Sequence, residues 1–338
     1  MKQILIFVVS IIGLVLFATN SNALVGTQEI SFSSESSQRV ITAEVFYPTP
    51  LKAESKLEQH GIWLRENFDK GAVNIDKSKS YPLIVFSHGF KGDRFANSWF
   101  AEKMAKQGYI VVAIDHTFNT NYNHSDLFVY TSMWQRPLDV SELITHLLQH
   151  PQWSKVIDKD KIYAAGFSLG GFTALWLGGI QADKASFKKS LDYSYSAWNE
   201  WPQHDAVKAK SVDWGKAEQS YLDKRIKAVV AIAPDLGNVF PKSGLAKMTI
   251  PALIIVGDKD NITPKASNAE FYAKYIENAE IFTLKGAEHF TFMNKCSATG
   301  LKFTPQLCVD NAKREAVHDQ TIQKVTEFLA NLPRWRIY

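Results

Sequence analysis

The chain carries only two cysteines, Cys296 and Cys308, among its 338 residues. A fold stapled by many disulfides is therefore excluded, and the spacing matches no zinc motif. Internal repeats and low-complexity linkers are missing too, which leaves one large domain or two small ones. A large excess of one sign of charge is missing as well. The net charge is +4, with no basic run and no RNA-binding motif, so nothing argues for a nucleic-acid partner. A long apolar run occurs only in the first residues, and it is shorter than a membrane span needs.

That beginning has its own logic. Met1-Lys2 precede an apolar stretch from Ile4 to Phe17, and Ser21-Asn22-Ala23 follows. A basic start, an apolar core and a small-x-small site predict a signal peptide over 1–23, cleaved after Ala23. The alternative is a retained N-terminal anchor. No cysteine lies near the site, which argues against a lipoprotein anchor. Residues 24–338 would then be periplasmic or secreted, with no integral membrane span. An oxidising compartment makes a Cys296–Cys308 disulfide the natural expectation, with a zinc ligand pair as the alternative. Closing the Ser297–Leu307 loop would stabilise the fold by about 3 kcal/mol in the loop-entropy picture.

The most informative stretch is Gly166-Phe167-Ser168-Leu169-Gly170. An apolar run, Ile162 to Ala165, leads into it, and a helix-compatible stretch, Phe172 to Leu177, leaves it. This is a G-x-S-x-G nucleophile elbow in the strand–turn–helix setting that lifts a serine oxygen above a sheet edge. The motif alone arises by chance in roughly one chain in ten of this length. The surrounding pattern has to carry the argument.

Residues 27–47 suggest two antiparallel strands, and residues 51–80 a polar insertion before the main sheet. Strand and helix then alternate. Strands are expected at Pro82–Phe86, Tyr109–Ile114, Lys161–Ala165, Ile226–Ala233, Ala252–Val256 and Ile281–Leu284. Helices are expected at Ala96–Gln107, Leu138–Leu148, Phe172–Gly179, Ala266–Ile276 and Asn311–Ala330. Thr263 and Pro264 read as the N-cap and first turn of the fourth of these helices. Residues 182–224, rich in Lys, Asp, Ser, Tyr and Trp, break the rhythm and read as a cap or a surface excursion. Such alternation predicts an α/β fold with a mostly parallel sheet covered on both faces. Its ligands bind at the carboxyl ends of the strands.

A serine nucleophile needs a base, and the base an orienting acid, here in the chain order Ser, acid, His. His289, in Gly286-Ala287-Glu288-His289-Phe290, is the only later histidine directly beyond an expected strand. Asp260 lies on the loop after Ala252–Val256 and is the favoured acid. Asp235, after Ile226–Ala233, is the alternative. Asp258 reads as a turn-holding residue. The oxyanion needs two backbone donors. Leu169 N–H is one, and Phe90 N–H, in Phe86-Ser87-His88-Gly89-Phe90, is the other. His88 reads as a loop-holding side chain. Arg136 and Asp139 read as a structural ion pair or cap. Asp115, His116, His124 and Asp126 are too irregularly spaced for a metal site, and no metal or organic cofactor is called for.

Tyr81 to Phe90, Gln107 to His116 and Gly166 to Gly171 resemble the secreted platelet-activating factor acetylhydrolases and their bacterial, dienelactone-hydrolase-like relatives. Gly286 to Phe290 resembles the histidine loop of the bacterial relatives. The likeness covers most of 39–48, 81–180 and 226–293. It implies the α/β-hydrolase fold, serine chemistry and carboxylic-ester substrates, with short acyl chains on phospholipids among them. True dienelactone hydrolases carry a cysteine where Ser168 stands. In the acetylhydrolases the acid follows the strand that here ends near Asp235.

The sequence therefore predicts an exported serine esterase that works through an acyl-enzyme on Ser168, with a small-molecule or lipid ester as its partner. A non-catalytic module on the same fold, or a serine peptidase, is the alternative.

Overall fold

A computed structural model of the chain describes residues 23–52, 56–66, 68, 73–125, 132–186, 188, 213–237 and 240–332. It opens with an antiparallel pair, β1 (Ala23–Ser33) and β2 (Val40–Lys52), and a separate hairpin, β3 (Leu57–His60) with β4 (Trp63–Glu66). Strand and main helix then alternate: β5 (Tyr81–Ser87), α1 (Ser98–Lys106), β6 (Ile110–Asp115), α2 (Gln135–Gln149), β7 (Ile157–Phe167) and α3 (Leu169–Leu177). The second half holds β8 (Ile226–Ile232), β9 (Ala252–Gly257), α4 (Ala269–Tyr275), β10 (Ala279–Leu284) and α5 (Arg314–Ala330).

Eight strands form one sheet in the order β1-β2-β6-β5-β7-β8-β9-β10. Only β1 and β2 run antiparallel to their neighbours; β5 to β10 are parallel. The side chains explain the layering. Leu83, Val85, Val112, Ile162, Val229 and Ile254 face α2, α3 and α4 through Leu143, Leu147, Phe172 and Tyr272. Their neighbours Ile84, Val111, Ala165, Val230 and Ile255 face α1 and α5 through Phe100, Met104, Val317 and Val325. Both faces are covered, so the inner strands carry unbroken apolar runs, such as Leu83–Phe86, Ile110–Ile114 and Ala252–Val256, rather than an alternation. Truncating a fully buried aromatic such as Phe100 would cost about 3–5 kcal/mol.

Some boundaries differ from the sequence expectation. α4 starts at Ala269, with Asn268 before it, so Thr263 is not its N-cap. The closing helix starts at Arg314, after a 3-10 turn over Asn311–Lys313. The chain enters that turn at Asp310, whose φ of 52° interrupts a continuous helix.

The insertion at 51–80 and the cysteine loop meet. Leu64 N donates to Lys295 O (2.7 Å), Ser297 N to Ile62 O (2.9 Å) and Ser297 Oγ to Gly61 O (3.0 Å). Cys296 and Cys308 are disulfide-bonded, and Trp63 packs on them in a small cluster of its own. Next to it, Arg65 is buried with its guanidinium 3.8 Å from the centre of the Phe95 ring. Burial pushes the neighbouring Glu102 carboxyl up to about 7.

Of the expected signal peptide, residues 1–22 lie outside the described residues, as do 189–212 of the expected cap. Among the described residues no helix is long and apolar enough to cross a membrane.

Candidate active site

Ser168 stands alone between the last residue of β7 and the first of α3, with φ 55° and ψ −120°. A non-glycine residue reaches that backbone region only when its surroundings over-determine it. Here they do. Ser168 N donates to Ile232 O (2.8 Å), and Ser168 O accepts from Phe172 N (3.1 Å) and Asp235 N (3.3 Å). The motif glycines have a steric reason. A Cβ on Gly166 would lie 2.2 Å from Gly170 O, and one on Gly170 would lie 1.8 Å from Ser87 O. The helix and two strands meet backbone to backbone around the serine.

His289 opens a single 3-10 turn, His289–Phe292, past β10. Glu288 and Thr291 cap that turn reciprocally, with Glu288 N donating to Thr291 Oγ1 at 3.0 Å. The imidazole is buried, against the Phe167 ring at 4.8 Å between centres. Its Nε2 lies 3.1 Å from Ser168 Oγ and its Nδ1 lies 2.8 Å from Asp260 Oδ2. The carboxylate selects the tautomer with hydrogen on Nδ1, which leaves the Nε2 lone pair facing the serine hydroxyl.

Asp260 lies on the β9–α4 loop, buried and well supplied with donors. Its Oδ1 accepts from Ile262 N (3.0 Å) and Thr263 N (2.8 Å), and its Oδ2 from Thr263 Oγ1 (2.9 Å). Thr263 Oγ1 also lies 3.2 Å from His289 Nδ1. In sequence this threonine reads as a helix N-cap rather than as a partner of the acid. The signal for it is the Asp-x-x-Thr spacing, in which an aspartate bonds amides two and three residues on and a hydroxyl closes the turn.

The structure brings Asp260, and not Asp235, to the imidazole. An Asp235 side-chain oxygen accepts from its neighbour Leu236 N at 2.7 Å, and burial pushes that carboxyl up. Its backbone amide props the Ser168 carbonyl, as above. Asp258 accepts from Gly286 N at 2.6 Å and so ties the acid loop to the histidine loop.

The two expected oxyanion donors belong to segments that adjoin the serine. Leu169 begins α3, so its amide has no helical acceptor. Gly89 abuts the elbow: a Cβ there would lie 3.4 Å from Ser168 Cβ. The Gly89–Phe90 peptide is therefore next to the nucleophile. His88 holds this loop. His116 N donates to His88 Nε2 (3.2 Å), so His88 Nδ1 carries the hydrogen and donates to Gly89 O (2.7 Å). Burial pushes His88 down to about 3, and with both nitrogens engaged it is no base for Ser168.

Arg136 and Asp139 do not form the expected ion pair. Asp139 Oδ1 is paired with Arg39 at 2.6 Å, and Arg136 donates instead to Ser87, His88 and Thr173. Asp115 and His116 have structural partners as well. Asp115 binds Arg94 and the Tyr122 hydroxyl, and His116 lies between Ser87 and Asp139. Asp126 lies outside the described residues, among which no three His, Cys, Asp or Glu side chains gather as a metal would require.

The fold is the α/β-hydrolase fold. The chain belongs to the BD-FAE family, whose model matches residues 73–275. That span includes Ser168, Asp235 and Asp260 and ends before His289. A ferulic acid esterase from Streptomyces cinnamoneus aligns over 95% of this chain and 93% of its own, with TM-score 0.57 and 16% identity. Thermogutta terrifontis esterase 2 aligns over 90% of this chain and 94% of its own, with TM-score 0.52 and 15% identity. At such identities the likeness is one of fold. Among curated relatives, dipeptidyl-peptidase 5 of Trichophyton schoenleinii is 34% identical over 197 residues, 56% of this chain and 25% of that protein. The Aspergillus fumigatus protein of that name is 26% identical over 207 residues, 59% of this chain and 27% of that protein. The match thus spans about a quarter of the length of these relatives.

Proposed function

We propose that the protein is an exported serine esterase acting through an acyl-enzyme. One observation carries the reading: a strained, buried serine whose Oγ lies 3.1 Å from a histidine nitrogen, the opposite nitrogen of which lies 2.8 Å from a buried carboxylate. As Ser168 Oγ attacks an ester carbonyl, its proton passes to His289 Nε2. Asp260 holds the imidazole and balances the charge that forms on it. The Leu169 and Phe90 amides receive the developing oxyanion, and each such donor contributes roughly 3 kcal/mol to the transition state. The proton on His289 then passes to the leaving alcohol. Water then attacks the acyl-enzyme carbonyl as His289 Nε2 takes its proton, and His289 returns that proton to Ser168 Oγ as the acyl–oxygen bond breaks and the acid is released. Every role falls to a residue of one domain over 24–338.

The substrate is a carboxylic ester. Small acyl groups, including platelet-activating-factor-like phospholipid esters, follow from the motif likeness at Tyr81–Phe90 and Gly166–Gly171. Aromatic acyl groups follow from the esterase neighbour in fold. A second reading, cleavage of dipeptides from peptide amino termini, draws on the 34% identity to a dipeptidyl-peptidase.

The test is a panel of p-nitrophenyl acetate, butyrate and octanoate, methyl ferulate, a short-chain phosphatidylcholine and dipeptidyl p-nitroanilides. Ester turnover that disappears in Ser168→Ala supports the esterase. Turnover of the anilides alone moves the assignment to peptidase. Full ester activity in Ser168→Ala, or no labelling of the wild type by a fluorophosphonate, overturns the serine mechanism.

A further inference from the structure

Beneath the elbow lies a buried polar chain that the reaction does not use. Ser87, His116, Arg136 and Asp139 are each 3% exposed or less. Ser87 Oγ lies 2.8 Å from His116 Nε2, and His116 Nδ1 lies 3.2 Å from Asp139 Oδ2. The order Ser, His, Asp imitates a proton relay, but no substrate reaches a serine so enclosed. Its connection to Arg136 shows another use. Arg136 Nη2 donates to Ser87 Oγ (3.0 Å) and to the His88 carbonyl, and Nε donates to Thr173 Oγ1 (3.0 Å). Thr173 Oγ1 in turn donates to the Leu169 carbonyl at 2.9 Å.

One guanidinium therefore reaches both arms of the oxyanion site. On one side it grips the loop that carries Phe90. On the other it grips, through Thr173, the first turn of α3 that carries Leu169. Peptide units are planar, and no cis bond occurs among the described residues. Fixing the His88 carbonyl therefore aims the Gly89 amide the opposite way, and the His88 imidazole does the same for the next peptide through the Gly89 carbonyl. Among the described residues the remaining buried nitrogen, Nη1, has no hydrogen-bond partner and no carboxylate lies within ion-pair distance of this arginine. A forked cation bonded only to neutral oxygens is an unusual choice for packing alone, because burying a charge is unfavourable unless it does something. Burial lowers its pKa to about 9, so it stays protonated at neutral pH.

We propose that Arg136 is the positioning residue of the oxyanion site: by tying the His88 carbonyl to the first turn of α3 it holds the loop that carries the Phe90 amide in place relative to the helix start that carries the Leu169 amide, and the His116–Asp139 pair holds Ser87 in place for it. This rests on the serine esterase reading, and it concerns the transition state rather than substrate binding.

The experiment compares wild type, Arg136→Met, Arg136→Lys, Thr173→Val and Thr173→Ser. Active sites are counted by end-point fluorophosphonate labelling. Then kcat per counted site, KM and the second-order labelling rate are measured. Arg136→Met is expected to lower kcat per site and the labelling rate together by about 10- to 100-fold, with KM within about threefold. Arg136→Lys keeps the charge but not the fork and recovers only part of this. Thr173→Val, which removes one arm, is expected to lose about 3- to 10-fold, and Thr173→Ser to recover it. If Arg136→Met lowers only the number of active sites or the melting temperature, with kcat per site unchanged, the proposal is overturned. If that variant does not fold, wild-type kcat and labelling in Thr173→Val overturn it equally. Labelling needs no substrate, so a wild type that labels but turns over no ester sinks the esterase reading and leaves this test intact.

Discussion

Nδ1 of His289 stands 2.8 Å from Oδ2 of Asp260, and that carboxylate also accepts two backbone amides and a hydroxyl. Asp235 is bonded through its side chain to its own turn. Asp260→Asn should therefore lower kcat by about 10³- to 10⁴-fold, since an amide supports the wrong imidazole tautomer. Asp235→Asn should lower it by about threefold at most. Steady-state ester hydrolysis distinguishes the two, and the reverse ranking would return Asp235 to the role of acid.

Thr263 should matter more than its place on a loop suggests. Its hydroxyl is a donor to a buried carboxylate, a bond of the charge-assisted kind worth about 1.5–3 kcal/mol. Thr263→Val should lose about 10- to 100-fold in kcat with little change in KM, while Thr263→Ser stays near wild type. Equal kinetics in the valine and serine variants would remove the hydroxyl from the account.

Gly170 should tolerate no side chain. A Cβ there would lie 1.8 Å from the Ser87 carbonyl oxygen, and neither backbone can withdraw without pulling the sheet apart. Gly170→Ala should yield little folded protein, and what folds should not label with a fluorophosphonate. A well-folded, fully labelled alanine variant would contradict this packing.

Removal of the disulfide should separate stability from activity. The chain just past His289 has clamps of its own: Asn97 Nδ2 and Trp99 Nε1 both donate to Phe292 O, at 2.8 and 2.7 Å. The Cys296→Ser/Cys308→Ser double variant should lose about 3 kcal/mol of stability by loop entropy. Its kcat at 25 °C should remain within about twofold. Denaturant titration and initial rates on one preparation check both, and a parallel collapse of rate would show that the histidine depends on the cysteine loop.

Glu102 should leave a signature in the pH dependence of stability. Burial raises its carboxyl from 4.5 to about 7, so the native state holds a proton that the unfolded chain releases. Its contribution is most favourable below pH 4.5 and is lost as pH rises towards 7. Relative to wild type, Glu102→Gln should gain stability across that window and gain nothing more above it. Urea unfolding at pH 4.5, 6 and 8 measures the gap, and a gap constant with pH would mean that the carboxyl titrates normally.

The parts of this molecule legible in its sequence are those specified locally. The inner strands announce themselves because both faces are covered, which leaves unbroken apolar runs such as Ile110–Asp115 up to its last residue. The elbow shows itself because Gly166 is forced by a contact only four residues on, with Gly170 O, while Gly170 answers to the distant Ser87 carbonyl and is legible only as part of the motif. The positions of Asp260 and His289 follow from counting strands and looking just past their ends. Thr263 reads as a helix cap, because a threonine before a proline fits that role until a carboxylate three residues earlier claims the hydroxyl. Arg136 resembled any charged residue at the start of a helix; only the third dimension shows it underneath the nucleophile. The meeting of Gly61 with Ser297, 236 residues apart, has no trace in composition or period.

The contact between Gly170 and Ser87 has one more implication. Where main chain rests on main chain, no substitution can reshape the space, so the floor of this cleft is closed to gradual tinkering. Variation is channelled instead to side chains whose exchange leaves these main-chain contacts in place. One such scaffold can serve many diets while its chemistry stays the same.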